Sequence, residues 1–345
     1  MRWLKFLGKW LLTGLVVGFV AWEFIRQWSH LPERAWSLEP GWTLLCGVIY
    51  MLAFLPSLLY WGWCLRHLGQ PTPKLAIFRA YFVGHLGKYV PGKALVPILR
   101  AALLSQVRVQ PAAAILAVFY ETLTCMAAGS FLVAALLLLR VEAKDWARRL
   151  AELLGWSFFA ESWPIWATAG GFSLLGLAML LPLLPAGFNR LANWLLQRTG
   201  GADQLPGRGL DAEVLVMGLA VGVINWLLLG LSMWAALRAL VPVMWSSSGW
   251  WLATFSITAA VVLGFVSMLP GGLGVREGVL AILLTQTGLS SAPEAALAAV
   301  LMRLIGLISE VIVAIGLLTP GGLKWLVKGC HLGDRRGDFS GDSSL

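Results

Sequence analysis

The sequence predicts an all-α polytopic membrane protein, and three observations support this prediction. Hydrophobic residues fill 59% of the 345 positions and charged residues only 12%, whereas a soluble domain carries about 25% charged residues. The mean hydropathy is +0.78, and apolar stretches of about 20 residues or more, enough to cross a bilayer as a helix, recur along the chain. Two Pro-Gly breaks interrupt the apolar pattern. We therefore predict about six full transmembrane helices plus two re-entrant hairpins in an inverted repeat.

Six stretches are predicted to cross the membrane fully. Residues 1–28 begin with basic side chains, but the apolar run is long for a signal peptide and no cleavage site follows, so we interpret it as a retained span. The other five are residues 41–65, 111–140, 163–184, 212–241 and 293–318. Residues 141–162 are mixed in charge and predict an interfacial helix, and residues 185–211 predict a polar loop.

Each Pro-Gly break predicts a re-entrant hairpin. Pro91-Gly92 interrupts residues 66–108, and the apolar stretch on each side of the break, about 14 residues long, is too short to span. Irregular backbone at membrane depth is tolerated where protein or water surrounds it. Residues 250–269 end at a second break, Pro270-Gly271, which a short apolar helix follows. The alternative for this second unit is that residues 250–269 cross the membrane completely.

The two breaks belong to an internal repeat, predicted over residues 66–140 and 249–319. Each break precedes a helix that ends in Leu-Leu-Ser/Thr-Gln, then a proline and an Ala-rich stretch. At the same offset from that proline, one unit has Glu121 and the other has Arg303. Three spans separate the units, and an odd number inverts the second relative to the first. Lys/Arg-rich segments near both ends of the chain predict cytoplasmic N- and C-termini.

Charged residues inside the apolar stretches predict a buried polar track. Glu121, Arg303 and Glu310 should face the protein interior, because a charge in the bilayer centre is costly. We predict that Glu121 pairs with Arg303, since the repeat places them equivalently; a purely structural ion pair is the alternative.

Basic residues crowd the two breaks, where helix ends present free N–H groups. These residues are Lys88, Lys93, Arg100 and Arg276, and together with the helix ends they predict an anion site. A lipid phosphate is the obvious anion at this depth. The alternative is ordinary cytoplasmic positive charge.

Other classes of function lack support in the sequence. Cys46, Cys64, Cys125 and Cys330 form no C-x-x-C motif, and the four histidines have no metal-ligand spacing. No nucleotide-binding loop or activated nucleophile motif is present, so no metal site or cofactor is expected. The net charge of +9 is not arranged in a basic stripe with aromatics, so we expect no nucleic-acid partner.

Two motifs resemble those of a known family. Residues 87–93, Gly-Lys-Tyr-Val-Pro-Gly-Lys, with Arg100 further on, resemble the G-K-Y-x-P-G-K…R motif of the flippase-like family that shares the transmembrane region of lysylphosphatidylglycerol synthases. Residues 267–277 resemble its second motif, P-x-G-x-G-x-R-E. The resemblance covers about residues 5 to 325. The chain departs from the family pattern at Ala94-Leu95, and Glu310 has no counterpart in it.

The resemblance implies a lipid-translocating membrane domain without a synthase domain. We expect one transmembrane domain over residues 1–325 and a polar cytoplasmic tail over 326–345. The expected function is movement of an anionic or aminoacylated phospholipid, or another phosphate-bearing lipid, between leaflets of the cytoplasmic (inner) membrane of a prokaryote. The implied headgroup-binding residues are Lys88, Tyr89, Pro91, Gly92, Lys93, Arg100, Pro270, Gly271, Gly272, Gly274, Arg276 and Glu277.

Two other functions stay open at this point. One is a membrane-embedded enzyme that acts on a lipid-linked substrate, and the other is an accessory subunit of such an enzyme. We expect a transporter rather than an enzyme, because the sequence shows neither an ATPase nor a synthase domain. The expected partners are a membrane lipid and either a second copy of the chain or a lipid-synthesis enzyme.

Overall fold

Ten α-helices form the part of the chain that the computed structural model describes, which is residues 38–89, 95–139, 165–198, 209–241, 246–269, 272 and 274–318. They are α1 Pro40–His67, α2 Lys74–His85, α3 Leu95–Leu104, α4 Pro111–Leu139, α5 Ile165–Leu180, α6 Pro185–Arg198, α7 Ala212–Leu240, α8 Ser247–Val266, α9 Val275–Gln286 and α10 Ala292–Leu318. Short 3₁₀ turns extend α2, α3 and α5 over Leu86–Tyr89, Ser105–Val107 and Leu181–Leu183. These ranges contain no β-strand, which confirms the all-α prediction.

Six of the described helices are long and apolar enough to cross a membrane: α1, α4, α5 with its 3₁₀ extension, α7, α8 and α10. Five of them match predicted spans, and the chain is a multi-pass membrane protein. The sixth, α8, has 20 residues and was predicted as one limb of a hairpin. The predicted first span, the interfacial helix over 141–162 and the tail lie outside the described residues.

One predicted loop is largely wrong, because residues 185–198 form the helix α6. Phe188 and Ala192 are buried and Leu195 is half-buried. Their spacing places them on one face of a helix. The polar residues between them cover the other face, which is why the segment resembled a loop in composition.

Both Pro-Gly breaks lie between helices that pack against each other as hairpins. The first hairpin consists of α2 and α3, and the second of α8 and α9. The two ends of the first hairpin lie together, since the backbone N–H of Gln110 donates to the side chain of Gln70 at 2.9 Å. In the second hairpin, Gly249 at the start of α8 lies beside Leu289, which follows α9. Each hairpin therefore returns to the side from which it begins.

The returning limbs α3 and α9 are too short to cross the membrane by themselves, whereas α8 is long enough to do so. Helix α3 has 10 residues and α9 has 12. At 1.5 Å per residue, neither exceeds about 18 Å, whereas the hydrocarbon core of a bilayer is about 30 Å thick. The depth that the two tips reach in the membrane stays a prediction.

Glycines allow each hairpin to close tightly. A Cβ atom at Gly84 of α2 would meet the backbone and side chain of Arg100 in α3. In the second hairpin, a Cβ at Gly264 of α8 would lie 3.2 Å from the Cβ of Arg276 and 3.4 Å from the Cα of Gly272. The two glycines precede the Leu-Leu-Ser/Thr-Gln sequences by the same number of residues. They are thus equivalent positions of the predicted repeat.

Helix contacts follow a two-fold pattern. The helices α1 to α4 contact one another in the same pairs as α7 to α10. Contacts between the two sets are also matched. Helices α1 and α2 of the first set both pack on α10. The corresponding helices of the second set, α7 and α8, both pack on α4. If the two sets are exchanged, the pattern of contacts stays the same, as the predicted repeat requires. The pattern also includes α1 and α7, the helices that precede the two hairpins, so the repeat is longer than predicted.

The two sets run in opposite directions. Glu39 lies beside Arg238 and Tyr60 bonds to Val214, so α1 and α7 are antiparallel. Helix α10 runs parallel to α1, because Cys46 contacts Met302 and Tyr50 contacts Glu310. Helix α4 likewise runs parallel to α7, so α4 and α10 are antiparallel. This is the orientation that an inverted repeat produces.

Candidate functional site

The tip of the first hairpin is joined to α10 by a buried ion pair. The ammonium of Lys88 lies 2.5 Å from Oε1 of Glu310. The hydroxyl of Tyr50 in α1 donates to the same carboxylate at 2.6 Å, and Nε2 of His85 lies 3.9 Å from it. The Glu310 side chain is only 1% exposed. A carboxylate buried this deeply is stable only with such partners.

Aromatic rings surround the Lys88 ammonium. It lies 5.0 Å from the ring centre of Tyr89, 5.7 Å from Phe54 and 5.9 Å from Tyr50. A cation within about 6 Å of a ring face is attracted by the ring's electrons. The cluster of Glu310 with these rings forms a pocket that holds one ammonium group.

The tips of the two hairpins meet at one cavity. It has a volume of about 30 Å³ and is lined by Tyr50, Lys88, Tyr89, Arg276, Met302 and Arg303, which leaves room for one or two water molecules. Lys88 and Tyr89 come from the first tip, and Arg276 comes from the first turn of α9 at the second tip. Among the described residues, no carboxylate lies within ion-pair distance of Arg276.

Arg303, which also lines the cavity, pairs with Glu277 of α9. Glu277 uses its other oxygen to accept from the backbone N–H of Gly274 at 2.7 Å. This bond satisfies one of the free N–H groups at the start of α9. The predicted pairing of Glu121 with Arg303 is therefore wrong.

Glu121 pairs with Arg100 instead, in a separate buried cluster. A guanidinium nitrogen of Arg100 lies 3.2 Å from Oε2 of Glu121, and the Tyr81 hydroxyl donates to Oε1 at 3.3 Å. The guanidinium of Arg100 also lies over the rings of Tyr81 and Trp61, at 3.9 Å and 4.8 Å from their centres. Neither Arg100 nor Glu121 lines the cavity. The predicted polar track is thus divided, with Arg303 and Glu310 near the cavity and Glu121 in the α3–α4 cluster.

The two ion pairs connect corresponding helices with opposite polarity. In the first half, the cation Arg100 stands on α3 and the carboxylate Glu121 on α4. In the second half, the carboxylate Glu277 stands on α9 and the cation Arg303 on α10. Each pair fastens the returning limb of a hairpin to the next spanning helix. Glu121 and Arg303 therefore do not pair with each other, because each forms an ion pair with a residue on the short helix that precedes its own.

The comparison with protein families decides the classification of the chain. A family model described as lysylphosphatidylglycerol synthase TM region matches residues 9–315. The chain belongs to this family. A search of curated proteins finds none that matches the chain. The resemblance of the two Pro-Gly motifs to the synthase transmembrane region is thereby confirmed at the level of the family.

The structure describes seven of the twelve headgroup residues expected for this synthase-region family. Lys88, Tyr89 and Arg276 line the cavity, Arg100 lies in the other cluster, and Glu277 holds Arg303. Gly272 and Gly274 have φ angles of +69° and +78°, in the left-handed region that favours glycine. Pro91, Gly92, Lys93, Pro270 and Gly271 lie outside the described residues.

The aromatic partners of the buried charges were missed in the sequence. They are Tyr50, Phe54, Trp61 and Tyr81. A usable signal existed: the chain has only five tyrosines against nineteen tryptophans, and all five tyrosines are buried. A buried tyrosine hydroxyl usually has a hydrogen-bond partner, and the hydroxyls of Tyr50 and Tyr81 bond to buried carboxylates, whereas that of Tyr120 has no such partner among the described residues.

Proposed function

We propose that the chain moves a phosphate-bearing lipid between the two leaflets of the membrane. The observation that carries this proposal is the meeting of both hairpin tips at one charged cavity inside apolar helices. A lipid phosphate contacts Lys88 and Arg276 there, while its acyl chains stay among the membrane lipids. Lys93, which follows the first break, is a further candidate ligand from the sequence.

The inverted arrangement supports access from both leaflets. The first hairpin begins at one side of the protein and the second at the other, and their tips share the cavity. A site between inverted halves is reached from either side when one half moves relative to the other. The cavity is too small for a phospholipid headgroup as it stands, so transport includes opening of at least one tip.

Positive groups without a full set of partners favour an anion as the ligand. Arg276 has no carboxylate partner among the described residues and stands in the first turn of α9. The free N–H groups of a helix N-terminus add positive partial charge at that place.

The expected location is the cytoplasmic membrane, with cytoplasmic termini. An ion gradient, the membrane potential or downhill consumption of the lipid drives the transport.

Reconstitution in liposomes tests the proposal. The vesicles contain fluorescent phosphatidylglycerol in both leaflets, and dithionite added outside removes the signal from lipids that reach the outer leaflet. We expect faster loss with the protein than in protein-free vesicles. Arg276→Gln should slow it at least about tenfold, because one ionic contact to the lipid phosphate is lost.

Arg238→Gln is the matched control for this assay. Arg238 forms an exposed pair with Glu39, so its loss should leave the rate within about twofold. Equal rates with and without protein would overturn the proposal. Lipid mass spectrometry on the same vesicles detects a chemically altered lipid, which would indicate an enzyme instead.

A further inference from the structure

We propose that Glu310 determines the charge of the lipid headgroup that the cavity accepts, and that it selects a singly charged phosphodiester over a doubly charged phosphomonoester. This inference rests on the proposed function, because it concerns the substrate of the same site. It adds a selectivity residue that the family motifs do not contain.

Among the residues that the structure describes, the formal charges around the cavity leave one positive charge unbalanced. Arg303 is neutralised by Glu277. Lys88 is neutralised by Glu310, while Arg276 has no acidic partner among the described residues. At about pH 8 histidine is mostly uncharged, so His85, whose Nε2 lies 3.9 Å from Glu310, does not enter this formal count. The described part of the site thus carries one uncompensated cation, Arg276, and Lys93 of the first motif lies outside the described residues and is not counted.

Charge balance inside a membrane then limits the ligand. Burying an unpaired charge is costly, so the best ligand cancels the site's charge without exceeding it. A phosphodiester carries one negative charge. A phosphomonoester carries up to about two negative charges above its second pKa near 6. Its second negative charge would lie next to the Glu310 carboxylate without a cation to balance it.

Glu310 is fixed where it can exert this effect. Its carboxylate is bonded to Lys88 and Tyr50, and both residues line the cavity. The side chain is almost completely buried, so water does little to screen it. Removing its charge frees the Lys88 ammonium, so the ligand meets one more unpaired cation than in the wild type.

Lipid binding to the purified full-length protein tests this inference. The probes are phosphatidylglycerol and phosphatidic acid with identical acyl chains, measured at about pH 8, where the phosphomonoester is fully charged. The measured quantity is the ratio of their two dissociation constants. Glu310→Gln should shift this ratio toward phosphatidic acid by about tenfold or more relative to the wild type.

Three further variants separate charge from structural damage. Glu310→Asp keeps the charge and should keep the wild-type ratio. Adding Lys88→Gln to Glu310→Gln removes one cation together with the carboxylate and should return the ratio toward that of the wild type. Glu39→Gln removes an exposed carboxylate and should leave the ratio unchanged.

The outcomes distinguish this inference from the proposed function. An unchanged ratio in Glu310→Gln, or a shift that persists in the double variant, overturns the role of Glu310. The expected shift in a protein that moves no lipid in the liposome assay supports the role of Glu310 but overturns translocation. Failure of the wild type to bind either lipid overturns both.

Discussion

Lys88 and Glu310 form an ion pair that connects the two halves of the protein. Lys88 stands at the tip of the first hairpin and Glu310 on the last helix of the second half, and their charged atoms are 2.5 Å apart. The Tyr50 hydroxyl donates to the same carboxylate. The tip of the first hairpin is therefore held against the second half, and opening it requires this pair to separate.

The first prediction concerns the energy of this pair. Lys88→Met should lower the free energy of unfolding in detergent by about 3 kcal/mol, because Glu310 is left buried without its cation. Lys88→Met with Glu310→Leu should recover all but about 1 kcal/mol of that loss. Additive losses in the double variant would show that the two side chains do not interact. Arg238→Met, at the exposed pair, should cost less than about 1 kcal/mol.

The second prediction separates Arg100 from the cavity residues. Arg100→Met should cost about 3–5 kcal/mol in stability, since it leaves Glu121 unpaired in the interior. Arg100→Lys keeps the charge but loses the stacking on Tyr81 and Trp61, and should cost about 1–2 kcal/mol. Neither change should alter which lipid the protein prefers. A changed preference in Arg100→Lys would place Arg100 at the headgroup.

The third prediction uses the reversed polarity of the two hairpin pairs. Glu277→Arg and Arg303→Glu should each be strongly destabilising, because each places like charges side by side in a buried position. The combined exchange recreates the polarity of the Arg100–Glu121 pair and should restore most of the stability. About 1 kcal/mol should remain lost, since Glu277 also accepts from Gly274. A double variant no more stable than the single ones would contradict the pairing.

The fourth prediction concerns the closure of the hairpins. Gly84→Ala and Gly264→Ala should each destabilise the protein by about 1–3 kcal/mol, because the added methyl overpacks the contact between the two limbs. Gly170→Ala in α5 has open space around it and should be neutral or stabilising by up to about 1 kcal/mol. Thermal unfolding of the three variants in one detergent compares them directly. Equal behaviour of all three would contradict the tight packing.

The general architecture could be predicted because it depends on local properties of the sequence. Apolar length fixes which segments cross, and Pro-Gly fixes where helices break. The helix pairs around both breaks and the opposite directions of the two halves followed from these features. Helix α6 was missed because only three residues, Phe188, Ala192 and Leu195, form its apolar face.

The pairing of charges could not be predicted in the same way. Glu121 and Arg303 occupy equivalent repeat positions, but equivalent positions in antiparallel halves need not be close in space. Each charge pairs with a residue on the preceding short helix instead. The involvement of Tyr50 and Tyr81 depends on how distant helices pack, which the spacing within one helix does not reveal.

An experimental structure of the protein with bound phosphatidylglycerol tests the central claim most directly. We predict the phosphate between the two hairpin tips, with oxygens at about 3 Å from the Lys88 ammonium and the Arg276 guanidinium. We also predict that the acyl chains lie outward among the helices. A phosphate found only on the lipid-facing surface, with Lys88 and Arg276 contacting no lipid, would contradict the account.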